Sequence, residues 1–216
     1  MEVSIVKHYI EKLSDKLSEY YSDEEWDVLV DLLNSLEFKY NKTNYHFKNI
    51  KERIENSTNI DMDNYYEEVC TPLYYEIESF VIAMRSTVDI IMHIINKTMK
   101  LGIESSRVNL GTVYKHPNNT KMVRNILHRY THNRDSALWN FFYQFRNEIV
   151  HEKSITQTLP IVINFFQVPH PLAYFEIKGQ KQNVVTYLET AMNFLKRFVI
   201  HLFEQIEITV EHNLGN

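Results

Sequence analysis

Tyr143, Asn147 and His151 recur at every fourth position. On a helix they share one face, and Arg146 stands on its flank, about 140° from His151 by ideal geometry. These residue types carry defined chemistry. A histidine, with an ordinary pKa of about 6.5, takes up and releases a proton near neutrality. An arginine stays charged and presents a planar, bidentate donor that fits a carboxylate or a phosphate. Leu138, Phe142, Phe145 and Ile149 repeat at spacings of 4, 3 and 4 in the same stretch. They form the expected buried stripe, so the polar face points away from the helix's own core.

Two other groups attract attention. Glu78, Arg85, Asp89 and His93 fall within about 80° of one another on a second helical pattern. Such a stripe is either an exposed row of i,i+4 pairs or a set that orients groups on a neighbouring helix, which makes Arg85 and Asp89 candidate positioning residues. The second group is a basic segment from Lys115 to Arg134 with five cations, three histidines and no acid, in a chain of formal net charge −5. A polyanion would therefore be drawn to one place, with Arg124 and His128 as candidate contacts. His128 and His132 have an i,i+4 spacing that can hold a metal, but no third ligand and no H-E-x-x-H pattern accompany them. No metal site is expected. His116, His46, His8, His170 and His212 read as polar positions near element ends, and His201 as a packing residue.

Composition excludes several classes. Four glycines in 216 residues, none grouped, are too few for the phosphate-cradling loops of dinucleotide or triphosphate enzymes, where about fifteen would be average. No nucleotide cofactor is expected. The single cysteine, Cys70, allows neither an internal disulfide nor a cysteine-based zinc site. An acid at position 2 and charges interrupting every apolar run give no leader pattern and no membrane span, so a cytoplasmic chain is expected.

The elements that must position these residues are mostly helical. A first amphipathic helix is expected from about residue 3 to 21 along Ile5, Tyr9, Leu13 and Leu17. Ser22 to Glu25 reads as a capping box opening a second helix. That helix is expected to weaken at Asn41 to Asn44, where amides and hydroxyls compete for the backbone, and to resume to Asn56. The longest helix is expected from about Asp63 to Lys100, kinked early by Pro72. Pro117 is placed in the first turn of a helix to about Tyr130, followed by the helix from about Asp135 to Lys153. Leu159 to Val168 and Leu172 to Ile177 read as a short hairpin, and a final helix runs from about Gln182 to Glu211. The fold class is all-α, an antiparallel helical bundle over residues 60–216 with a short β-hairpin before the last helix, and residues 1–59 as an N-terminal helical extension packed on it.

The run Phe145-Arg146-Asn147-Glu148-Ile149-Val150-His151 resembles the signature of the HEPN superfamily. That signature is an arginine, usually followed by Asn or Asp, with a histidine after four to six intervening positions. The likeness extends to the layout: a long helix carrying Arg85 and Asp89, an aromatic-rich helix ending in the motif, and a closing long helix. It implies a metal-independent endoribonuclease acting as a homodimer with the site at the interface. His151 would be the general acid and base, Arg146 the phosphate-stabilising group, and Asn147 would hold His151 or a phosphate oxygen, while Tyr143, by its place on the same face, either contacts the substrate or lies in a dimer interface. It also implies a toxin or phage-defence setting with an antitoxin or regulatory partner. Some members of the superfamily are instead noncatalytic dimerisation or nucleotide- or nucleic-acid-binding modules. In one subgroup a tyrosine two residues after the histidine is a modification target; Lys153 stands there in this chain.

Overall fold

The computed structural model of the chain describes residues 5–57, 64, 66–132, 136–151, 161–164, 172–177 and 180–214. Among the described residues the α-helices are, in chain order, α1 (Ile5–Leu17), α2 (Asp23–Asn56), α3 (Thr71–Thr98), α4 (Leu110–Lys115), α5 (Lys121–His132), α6 (Ser136–His151) and α7 (Val184–Leu214). Strands β1 (Ile161–Asn164), β2 (Leu172–Ile177) and β3 (Gln180–Asn183) lie between α6 and α7. The fold is all-α with a small sheet, as the hydrophobic spacing predicts.

Local signals explain most boundaries. Ser22 opens α2 as expected: its backbone N–H and hydroxyl reach Glu25 Oε2 at 3.4 and 3.3 Å, and the Glu25 N–H points back to Ser22 Oγ at 3.5 Å. The weakening expected at Asn41 to Asn44 does not occur, because α2 is continuous. Leu29, Leu33, Leu36, Tyr40, Thr43, Ile50 and Ile54 form one buried stripe through that stretch. Burial of Thr43 and its neighbours outweighs local propensity, which is worth only tenths of a kcal/mol per residue. In α1 the buried stripe is Val6, Ile10, Leu13 and Leu17, so Tyr9 stands at its edge.

The long third helix is divided. A π-helical turn covers Tyr66–Cys70, and α3 begins at Thr71. Pro72 thus occupies the first turn of α3, where its missing N–H leaves no bond unmade. Ile77, Phe80, Val81, Met84, Val88, Ile91 and Ile95 are all buried, as the pattern predicts. The chain leaves α3 through a left-handed Lys100 with φ of 49°. The Leu101 N–H bonds to the Asn96 carbonyl at 3.0 Å, and the Lys100 N–H to that of Lys97 at 3.1 Å, the paired bonds that close a helix in this geometry. The Asn96 side chain then holds Ile103 by both its amide groups, at 2.9 and 3.0 Å.

Pro117 lies between α4 and α5 rather than inside a helix. Thr120 takes the cap instead, its hydroxyl accepting from the Val123 N–H at 3.2 Å. Asn109 and Thr112 cap α4 reciprocally, so Gly111 is helical. The sheet contains the expected hairpin, β1 antiparallel to β2, with Ile161 opposite Phe175 and Asn164 opposite Leu172. A third strand, β3, adds antiparallel to β2. Asn183 ends it and caps α7 by accepting from the Thr186 N–H at 3.0 Å. Leu159 and residues 165–171, with Pro169 and Pro171, lie outside the described residues, as do residues 152–153 at the expected end of the motif helix.

Backbone contacts divide the chain into two compact units, each assembled from separated segments: Met1–Tyr40, Ser86–Trp139 and Phe194–Asn216 in the first, Asn41–Arg85 and Asn140–Asn193 in the second. In the first unit, α1 lies along the end of α7. Tyr9 donates to Glu204 at 3.1 Å, Lys12 to Glu207 at 3.0 Å, and Lys16 pairs with Glu207 and Glu211. The hydrogen-bonded pairs keep a constant separation of 195 residues, so the two helices run parallel. Helix α5 runs antiparallel to α7: Tyr130 packs on Phe194 and Phe198, while Met122 meets Gln205. In the second unit Phe80 sits between Phe47 and Phe142, and Tyr187 meets Phe141, Phe142 and Phe175. Burial pushes the Tyr187 hydroxyl up to about 12.

Candidate functional site

Helix α6 is oriented by its aromatic back. Trp139, Phe142 and Phe145 are buried, and Phe142 rests on Phe80 of α3 with ring centroids 6.1 Å apart. The opposite face is thereby turned outward, with Tyr143 at 42% exposure. The Arg85 guanidinium of α3 lies over the Tyr143 ring at 4.8 Å, a cation–π contact inside the second unit. Three residues on, Arg146 Nη1 donates to Asn147 Oδ1 at 3.2 Å, in a half-buried setting. His151 is the last residue of α6; its side chain lies outside the described residues.

The Arg146–Asn147 bond changes the expected geometry of the motif. By helical angle alone Arg146 and His151 diverge. Asn147 stands only about 40° from His151 on an ideal helix, so its oxygen draws the guanidinium round toward the Tyr143–Asn147–His151 face. Two of the guanidinium's outer donors remain for an anion once one has been given to Asn147. Glu78, Arg85, Asp89 and His93 are all half-buried rather than an exposed row. Arg85 joins Tyr143, whereas Asp89, Arg124 and His128 belong to the first unit.

That first unit carries a second cluster. Helix α5 turns Val123, Leu127 and Tyr130 inward, and Tyr130 OH is anchored 2.5 Å from His201 Nδ1. Its outward stripe is therefore Lys121, Arg124, His128 and His132. The two imidazoles are stacked, with centroids 5.1 Å apart and planes 7° from parallel. Tyr114 of α4 lies against both, 5.5 Å from His132 and 6.4 Å from His128, so the three rings form a triangular cluster. Thr131 Oγ1 lies 2.6 Å from His132 Nδ1 and fixes its ring. A cavity of about 610 Å³ in the same unit is lined in part by Arg107, Lys115 and His116. Helical spacing links His128 to His132, but Tyr114 joins them only through tertiary packing.

His46 also departs from expectation. It lies within α2, not near an element end, and its Nδ1 is 2.6 Å from Glu76 Oε2 of α3. Asn49 donates to the other oxygen of Glu76 at 3.1 Å, and Arg53 approaches it at 3.8 Å. His8 is likewise within α1. A cavity of about 410 Å³ adjoins Glu76, Asn49 and Arg53. The i, i+3, i+7 spacing of His46, Asn49 and Arg53 was the available signal, since it places all three on one side of α2. Neither this cavity nor the one beside Lys115 is lined by Tyr143, Arg146 or Asn147.

Among the described residues no group of three or more His, Cys, Asp or Glu side chains could hold a metal ion, and no helix is long and apolar enough to cross a membrane. No protein-family model, curated protein or solved structure matches the chain.

Proposed function

We propose that the chain is a cytosolic endoribonuclease of HEPN type that acts as a homodimer, with Arg146 and His151 as its catalytic residues. The observation that carries this reading is the Arg146–Asn147 hydrogen bond, which brings a fixed cation to the face ending at His151. In the proposed reaction the RNA 2′-oxygen attacks the adjacent phosphorus while a histidine removes the 2′-hydroxyl proton. The new bond is O2′–P and the broken bond is P–O5′. A protonated histidine supplies the proton to the departing 5′-oxygen, leaving a 2′,3′-cyclic phosphate and a 5′-hydroxyl. Arg146 donates to the phosphoryl oxygens as charge grows on them. Asn147 holds that guanidinium, and Arg85 steadies Tyr143 at the edge of the substrate face.

The test is incubation of purified protein with RNA in EDTA beside His151→Ala and Arg146→Ala variants, with the end groups identified. Wild-type cleavage leaving cyclic phosphate, lost in both variants and absent on DNA, supports the reading. Equal degradation by all three proteins identifies a contaminant. Binding of RNA without cleavage across varied substrates would replace the enzyme by a noncatalytic binding module. Light scattering that gives a monomer across micromolar concentrations would remove the shared interface site.

A further inference from the structure

We propose that the α4–α5 surface of the first unit is a platform for single-stranded nucleic acid, on which bases stack against Tyr114, His132 and His128 while Lys115, Lys121 and Arg124 hold the phosphates. Three observations converge on it. The two imidazoles lie 7° from parallel and the Tyr114 ring within 28° of both, and both histidines are exposed, so their outer faces and edges are offered to solvent. A ring stack that served only packing would be buried, as the Tyr130, Phe194 and Phe198 cluster on the other side of α5 is. The charge is one-sided: the segment Lys115 to Arg134 holds no acid. Lys121 and Arg124 lead along α5 into the two imidazoles, and Lys115 follows Tyr114 directly.

The occupant is set by these features taken together. Phosphate alone would need the cations but not three aligned rings. An acidic peptide would meet the cations but leave the ring faces unused. A duplex keeps its bases stacked on one another and unavailable. A single strand offers both, since each base has a π-face and each linkage one negative charge. The cavity beside Lys115, with Arg107 and His116 in its wall, is large enough to receive a further nucleotide. The preference for RNA over DNA rests on the function proposed above; the stacking and phosphate contacts do not depend on it.

The experiment is fluorescence anisotropy with a short unstructured RNA, the same sequence as DNA, and a duplex RNA, using the full chain. His132→Ala and Tyr114→Leu should each weaken binding of both single strands by about tenfold, within the usual worth of one base–aromatic contact. Tyr114→Phe, which keeps the ring, should bind as wild type and controls for folding of the half-buried position. Lys115→Ala and Arg124→Ala should each lower the slope of log affinity against log salt by about 0.7. The DNA strand carries no 2′-hydroxyl to attack, so its binding reads the platform alone, and failure of the cleavage reading and failure of the platform are separable. Unchanged affinity in both ring variants, duplex bound as tightly as single strand, or equal competition by an acidic peptide would each overturn the platform.

Discussion

Helices α5 and α6 make an instructive pair. Each buries an apolar back, each turns a polar face outward at three- and four-residue intervals, and each ends in a histidine. They use that face differently. On α5 the outward residues are exposed cations and rings, and the histidines touch chiefly one another and Tyr114. On α6 the arginine is half-buried and tied to its neighbour, while the exposed Tyr143 ring carries the Arg85 guanidinium on one face. A ligand that must be held and released suits the first arrangement, because rings and solvated charges bind without fixing one geometry. Chemistry suits the second, where a donor held in place costs little reorganisation as charge develops. Two helices with one hydrophobic rhythm thus diverge through what their polar residues touch.

The strongest way to break this contrast is to exchange the expected phenotypes. His151→Ala should lower the cleavage rate by roughly 10²- to 10⁴-fold, the usual worth of a general acid–base group, with RNA affinity unchanged. His128→Ala should do the reverse, raising the RNA concentration needed for half-maximal rate while leaving the maximal rate near wild type. Single-turnover cleavage and anisotropy on the same preparations decide it, and a common phenotype for both variants would erase the distinction.

Next come the supports behind each face. Phe198→Ala removes a fully buried ring beneath Tyr130 of α5, and Phe80→Ala one beneath Phe142 of α6. Each should cost about 3–5 kcal/mol in urea unfolding. Before global unfolding the first should impair binding more and the second cleavage more.

A smaller effect separates the units by acid. Burial disfavours the charged form of Glu207, but hydrogen bonds from Lys16 and Lys12 outweigh it and hold the carboxyl below its usual range. The pair's stabilisation is therefore complete above the ordinary glutamate pKa and is lost as the pH falls through the lower folded value. Glu207→Gln should lower the thermal midpoint at neutral pH and flatten its decline in acid, as calorimetry across pH would read. The smallest expected change is a gain. Lys100 holds a left-handed conformation, and Lys100→Gly should raise stability by up to about 1 kcal/mol, less whatever its contact with Tyr21 contributes.

The hydrophobic stripes of α3, α6 and α7 were legible because each repeats over several turns, so small local errors do not shift the face. Single-residue signals transferred less well. Pro117 fits a first turn by its own geometry, yet Thr120 provides a hydroxyl for Val123 and takes the cap. Asn41 to Asn44 looks weak in isolation, but Thr43 within it lies on a buried stripe. Strand β3 carries only Gln180, Lys181, Gln182 and Asn183, with no apolar or β-branched residue to announce it; pairing with β2 creates it. Of the candidate site, the face of α6 follows from spacing, whereas the contacts of Arg85 with Tyr143, of Tyr114 with His132 and of His46 with Glu76 each join two different helices. Spacing along one helix carries no information about such partners.

The parallel seam between α1 and α7 has a consequence in time. Its bonds join residues 195 positions apart, so they close nearly the largest loop this chain can form. Contacts of that separation come late in folding, since the ordering cost precedes the reward. During synthesis α1 emerges first and waits until residues 204–211 have left the ribosome. Until then the seam that ties α1 to α7 cannot form. Helix α1 is thus made long before the bonds that tie it to α7.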